Sequence, residues 1–171
     1  MVESNPDIIY IATATGGVWK SVNGGLTWDP VFDDQPVHST GAVAIFQPNP
    51  DIVWVGSGEG NVRNSVSIGN GVYRSMDGGK TWSHLGLEKT ERIHRVVLHP
   101  TNPDVAWVAA LGQLWGENAD RGVFKTDDGG KVMAITNLGS DVRRQEDRVR
   151  RGHDSCAQDS GRSLNRFCRF T

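Results

Sequence analysis

Cysteine is nearly absent: the 171 residues hold two, Cys156 and Cys168. Their spacing fits no metal or redox pattern, so the pair indicates neither a site nor a compartment. No apolar run approaches the ~18–20 residues that a spanning helix needs. The first ten residues, MVESNPDIIY, lack the basic start, apolar core and small-residue cleavage site of a signal peptide. A formal net charge of −2 gives no general pull toward nucleic acid or an anionic membrane. Within residues 1–131 no stretch repeats its apolar residues with a period of 3.6, so helices are not expected there. With 37% hydrophobic and 22% charged residues, the composition fits one ordinary globular domain.

What is present is unevenly spread. All six Trp, both Tyr, all seven Pro and 18 of the 21 Gly precede residue 132. Residues 1–131 carry 10 Lys+Arg against 15 Asp+Glu, whereas residues 132–171 carry 8 against 5. Two kinds of sequence are joined near Lys131.

The first part repeats. SVNGGLTW begins at Ser21, SMDGGKTW at Ser75 and TDDGGK at Thr126, with spacings of 54 and 51 residues. In step with these strings, Asn-Pro-Asp occurs at 5–7, 49–51 and 102–104, and each copy precedes an apolar run such as IVWVGSG. Short runs rich in Val, Ile and aromatics, bounded by Gly, Pro, Asn and Asp, read as strands. One unit is strand, Asn-Pro-Asp turn, strand, loop, strand, Gly-Gly turn, strand. Four antiparallel strands every ~50 residues is the period of a propeller blade. The Gly-Gly pair supplies the positive φ of a tight hairpin. Asp77 can accept hydrogen bonds from the backbone of its own turn, and Trp82 offers an apolar face to a neighbouring blade. The octet therefore reads as a structural corner; a calcium loop is excluded because its ligand spacing is missing.

The octet at Ser75 resembles the Asp-box of bacterial neuraminidase (BNR) repeats, with Ser75, Asp77, Gly79, Thr81 and Trp82 all matching. In the first copy Ser21, Gly25, Thr27 and Trp28 match, and Asn23 replaces the Asp. In the third, Thr126, Asp128 and Gly130 match, while Val132 and Met133 stand where Thr and Trp belong. Together with the Asn-Pro-Asp turns, the order is most similar to sortilin-type propellers and to bacterial exported proteins labelled glycosyl hydrolases. The resemblance covers residues 1–131 and implies an all-β fold: a partial β-propeller of about two and a half four-stranded blades. The blades are placed at about 1–32, 41–85 and 93–131. It implies no single activity, since sialidases, xyloglucanases, sortilin receptors and a photosystem II assembly factor share such repeats. The resembling families are usually exported.

Turns alternate between the two ends of a blade, so both turn types are expected at one end and the remaining loops at the other. Those loops carry the candidate ligand-binding residues: Glu59, Asn61, Arg63 and Asn64 in one, Trp115, Glu117 and Arg121 in the other. Between blades lie QPVHST and EKTERIH. Carboxylate, amide and Trp together suit a sugar, and Arg suits an anionic group; the same residues also suit solvated loops with a few inter-blade bonds. Glycoside hydrolysis needs two carboxylates ~5–9.5 Å apart, for which Glu59 and Glu117 are possible members. A sialidase reading needs a Tyr nucleophile, but Tyr10 and Tyr73 sit inside strand patterns and read as core. No catalytic residue, metal or cofactor is assigned.

The first blade starts at its Asn-Pro-Asp turn without an inner strand, and the third is expected to stop at its Gly-Gly turn without an outer one. Residues 132–171 form a basic, non-repeat tail, expected to be disordered, and the break inside the third octet suggests a frameshift. The expected function is a propeller binding module for a protein or glycan, inactive alone. The alternative is a fragment of a BNR-repeat glycoside hydrolase. An open stack of blades leaves edges uncovered, so further blades of the same propeller or self-association are the expected partners.

Overall fold

The computed structural model describes residues 1–61 and 66–136. The expected disorder of the tail beyond Thr136 lies outside the described residues. Among the described residues, eleven short strands form three antiparallel sheets, each a meander in chain order. The first holds β1 (Ile9–Ala12), β2 (Val18–Ser21) and β3 (Asp29–Pro30). The second holds β4 (Thr40–Ile45), β5 (Val53–Ser57), β6 (Val72–Ser75) and β7 (Ser83–His84). The third holds β8 (Ile93–Leu98), β9 (Ala106–Ala110), β10 (Gly122–Thr126) and β11 (Ala134–Ile135). These are blades of a β-propeller, and among the described residues the only helical piece is a 3-10 turn at Glu88–Thr90.

The first sheet has three strands, as its missing inner strand requires. Val2 holds the last rung of that position: its N–H donates to Ile8 O at 2.9 Å, as Phe46 N–H does to Ile52 O in the second sheet. The third sheet differs from expectation. It does have an outer strand, two residues long, with Lys125 opposite Ala134 and Phe124 opposite Ile135. The sheet therefore runs past Lys131 to Thr136, whose N–H reaches Val123 O at 2.7 Å. Two rungs suffice for an outer strand, because β3 and β7 are no longer.

The three Gly-Gly turns are built alike. The first glycine has φ of 69, 70 and 77° and the second 91, 90 and 95°, a region an L-residue adopts only at a cost. In the second turn Ser75 Oγ accepts Gly79 N–H at 2.8 Å and donates to Asp77 Oδ1 at 2.8 Å. Asp77 then accepts Thr81 N–H at 2.9 Å and the Thr81 hydroxyl at 2.6 Å. In the first turn Asn23 Oδ1 accepts Thr27 N–H at 3.0 Å, but its amide donates to Thr27 Oγ1 at 2.9 Å. The third turn keeps Thr126, Asp128 and the Val132 N–H bond at 3.1 Å, and Val132 brings no hydroxyl. Each turn is tied to the Asn-Pro-Asp turn of its own sheet: Gly24, Gly78 and Gly129 N–H donate to Asp7, Asp51 and Asp104 O at 2.8–3.0 Å. Both turn types thus share one end of the strands.

The core lies between sheets. Tyr10, Val18 and Phe32 of the first sheet meet Val53, Val55 and Tyr73 of the second. Phe32 contacts Tyr73 and Trp82 edge to face, both at 5.1 Å, and the Trp82 indole donates to Val31 O at 2.6 Å. On its other side the second sheet places Trp54, Val72 and Phe46 against Ile93, Val108 and Phe124. Burying a side chain of this size contributes roughly 1.5–3 kcal/mol, so the sheets cohere mainly by facing one another.

Candidate functional site

At the end of the strands opposite the Gly-Gly turns, three segments meet. They are the β5–β6 loop, the connection between the second and third sheets, and the β9–β10 loop. Val66, Glu91, Arg92, Gln113, Leu114 and Trp115 line a cleft of ≈ 420 Å³ there.

The connection is the floor. Its 3-10 turn is flanked by Leu87 at φ 65° and Glu91 at φ 52°, ψ −36°. Neither is glycine, and such backbone costs about 1–3 kcal/mol unless the surroundings enforce it. Here they do. Glu91 O accepts Gly69 N–H at 2.7 Å, Arg92 O accepts Leu111 N–H at 2.8 Å, and Thr90 Oγ1 donates to Leu87 O at 2.7 Å. Gly58, at φ 90°, lies so close that a Cβ there would strike the Glu91 carbonyl and Arg92 Cα.

Arg92 is buried, its side chain 6% exposed. It donates from Nη1 to Gly112 O at 2.9 Å and to Glu91 Oε2 at 3.3 Å, while its Nε has no partner. A buried guanidinium with an unsatisfied N–H is unfavourable. The Glu91 side chain remains 26% exposed. The same cleft is lined by Trp115, 84% exposed. An indole so placed offers an apolar face beside a donor and an acceptor.

The candidates named from sequence fare unequally. Trp115 lines the cleft. Arg121 closes its own loop instead, donating from Nε to Leu111 O at 2.7 Å and from Nη2 to Gln113 O at 2.9 Å. Glu59 is buried at 5% exposure, and its carboxylate accepts Ser67 N–H at 3.4 Å. Asn61 and Glu117 are exposed. Arg63 and Asn64 lie outside the described residues. Glu91, Arg92 and Gln113 were not singled out. EKTERIH was recognised as an inter-blade segment, but its charges read like any solvated run. Only the clamped backbone directs them into a cleft.

Both tyrosines are core residues. Burial, then the charges of Asp51 and Asp77, pushes the Tyr10 hydroxyl up to about 12, and it donates to Gly78 O at 3.1 Å. Burial likewise raises Tyr73, whose hydroxyl donates to Asn70 Oδ1 at 2.8 Å. Neither is poised as a nucleophile. Among the described residues no group of three or more His, Cys, Asp or Glu is placed to hold a metal ion. A larger cleft of ≈ 660 Å³ lies by the Asn-Pro-Asp turns, between Phe46, Pro48, His99 and Pro100. His99 is occupied there, its Nδ1 accepting Thr101 and Asn102 N–H at 3.3 and 3.1 Å.

No protein-family model matches the sequence, and no curated protein sequence does. Solved structures do match. The GH74 enzyme of Niastella koreensis aligns over 81% of this chain and 21% of its own, with a TM-score of 0.58 and 24% identity. The GH74 xyloglucanase of Xanthomonas campestris aligns over 79% and 20%, with 0.56 and 19%. YCF48 bound to D1 peptide aligns over 78% and 42%, with 0.50 and 17%. The chain thus spans about a fifth of the length of these GH74 structures. At such identities the likeness is one of fold: this chain is a piece of β-propeller.

Proposed function

We propose that the cleft recognises a glycan. One sugar ring stacks on Trp115, while its hydroxyls donate to the Glu91 carboxylate and accept from the Arg92 side of the ion pair. The observation that carries the reading is the exposed Trp115 indole on the wall of a cleft floored by Glu91 and Arg92. Because the two charges largely cancel, a neutral oligosaccharide suits the site better than an anionic one. A β-glucan is the first ligand to try, since one of the neighbours in fold is a xyloglucanase. Asp-box repeats, as the sequence resemblance suggests, are the scaffold that presents the cleft.

Hydrolysis by this chain is not part of the proposal. Two facing carboxylates are needed, and Glu59, buried and already accepting Ser67 N–H, is poorly placed for one of them. In the alternative reading, a glycoside hydrolase fragment, the second acid sits on another blade. A peptide ligand is the other alternative, since YCF48 was solved with one.

Titration of the full chain with xyloglucan and cello-oligosaccharides, followed by Trp fluorescence and backbone amide shifts, tests the reading. Shifts centred on 91–92 and 113–115, abolished in Trp115→Ala with its β-sheet spectrum unchanged, are expected. Absence of shifts at those positions up to millimolar sugar refutes it, and release of reducing ends would favour the hydrolase instead.

A further inference from the structure

The two joints between sheets repeat one device. In the first sheet Lys20 Nζ stands 5.3 Å over the Tyr10 ring and donates to Gly78 O of the next sheet at 2.9 Å. In the second, Arg74 stands 5.3 Å over the Trp54 ring. It donates to Gly129 O at 3.1 Å and Pro103 O at 3.3 Å, and pairs with Asp104 at 3.0 Å. In both joints a base held on an aromatic reaches the Gly-Gly turn of the following sheet, and Arg74 holds its Asn-Pro-Asp turn as well.

The third sheet carries the same pair. Lys125 lies opposite Trp107 in register, its Nζ 5.9 Å from the ring. Trp107 holds the place of Trp54 after Asn-Pro-Asp. Among the described residues no sheet follows this face. Lys125 Nζ turns to Asp127 at 2.7 Å, and Val97, opposite Trp107, is 46% exposed. The first sheet shows the reciprocal surface. Its turn residues Pro6, Asp7 and Gly24 are exposed, and Ile11 on its open face is 42% exposed. The Trp28 indole, equivalent to Trp82, donates to Gly25 O within its own turn at 3.0 Å rather than to a preceding sheet.

We infer that the open face of the third sheet, through Trp107 and Lys125, docks on the Asn-Pro-Asp and Gly-Gly turns of the first sheet of a second copy. Lys125 would leave Asp127 for Gly24 O and the Asp7 carboxylate, as Arg74 holds Gly129 O and Asp104. The face is apolar at its centre and its charges are complementary to the surface it meets, which favours one register over random stacking. Such a contact is head to tail, so it closes into a ring or extends as a filament. Because the first sheet lacks a full inner strand, the contact is smaller than the internal joints, and association is expected on the order of micromolar.

Sedimentation velocity of the full chain across concentration reads this directly. Concentration-dependent association is expected, weakened about tenfold or more in Lys125→Asp and in Asp7→Lys. An equimolar mixture of the two variants restores it, because Asp at 125 then meets Lys at 7. A chain that stays monomeric throughout overturns the inference. So do single variants that associate like wild type, or a mixture that fails to recover.

Discussion

Arg74→Ala tests how the sheets are held together. The Arg74 side chain is 11% exposed and serves four partners: Gly129 O, Pro103 O, Asp104 and the Trp54 ring. Truncation leaves two turn carbonyls without a charged donor, at about 1.5–3 kcal/mol each for such bonds. The ion pair adds less than about 1 kcal/mol, because the Asp104 carboxylate is half exposed. The cation–π contact adds roughly 0.5–1 kcal/mol. These terms share atoms and do not sum, so the expected loss is about 3 kcal/mol, a large part of a total stability of ~5–15 kcal/mol. Arg74→Lys keeps the ring contact and one carbonyl bond, the arrangement Lys20 already shows, and should lose roughly half as much. Lys125→Ala removes the equivalent base from a face that meets no further sheet among the described residues, and at dilute concentration should cost no more than about 0.5 kcal/mol. Urea unfolding followed by Trp fluorescence measures all three. If Arg74→Ala costs no more than Lys125→Ala, the clasp does not hold the sheets and the reasoning fails.

Two further outcomes concern the turns. The Thr81 hydroxyl, then the Thr81 N–H, holds Asp77 down to about 2, and the Val132 N–H chiefly lowers Asp128. Folded-state depression means that their contribution is present above the unfolded value near 4 and is lost as pH falls through the folded value, which for Asp77 is about 2. Amide shifts of Thr81 should titrate as pH falls from about 4 toward 2, and those of Val132 below the ordinary carboxylate range, while Thr27, bonded to Asn23, stays flat; Asp77→Asn should remove the dependence at Thr81, and a titrating Thr27 contradicts this. Val132→Thr with Met133→Trp gives the third turn the residues of the second. The hydroxyl would reach Asp128 as Thr81 reaches Asp77, and the indole would reach Leu85 O as Trp82 reaches Val31 O, for a gain of about 1 kcal/mol in urea unfolding. A loss of stability would mean that the two turns are not equivalent.

The sheets and their turns were legible because their causes are local. Ser75, Asp77, Gly79 and Thr81 satisfy one another within seven residues, so the string SMDGGKT specifies its own corner. The alternating strands and the Asn-Pro-Asp turns, each closed by an Asn side chain two residues back, are equally short-range. The outer strand of the third sheet is less legible, because Val132 and Met133 stand where the other two octets have Thr-Trp. Backbone pairing at 134–135 does not require those side chains. The site was less legible. Arg121 looked like a ligand for an anion, yet its Nε and Nη2 donate to carbonyls of its own loop. Glu91 and Arg92 looked like a solvated charge run.

The sequence by itself determined the repeating blade, because hairpin φ values and side chain–backbone bonds within a few residues depend on nothing distant. Only the tertiary structure decided what happens between blades. Lys20 and Arg74 find carbonyls 58 and 55 residues away. The unusual backbone of Glu91 is held by the Gly69 N–H, and the neighbouring Arg92 carbonyl by the Leu111 N–H. The cleft exists because three loops from two sheets converge, and convergence is a property of packed sheets rather than of any one segment.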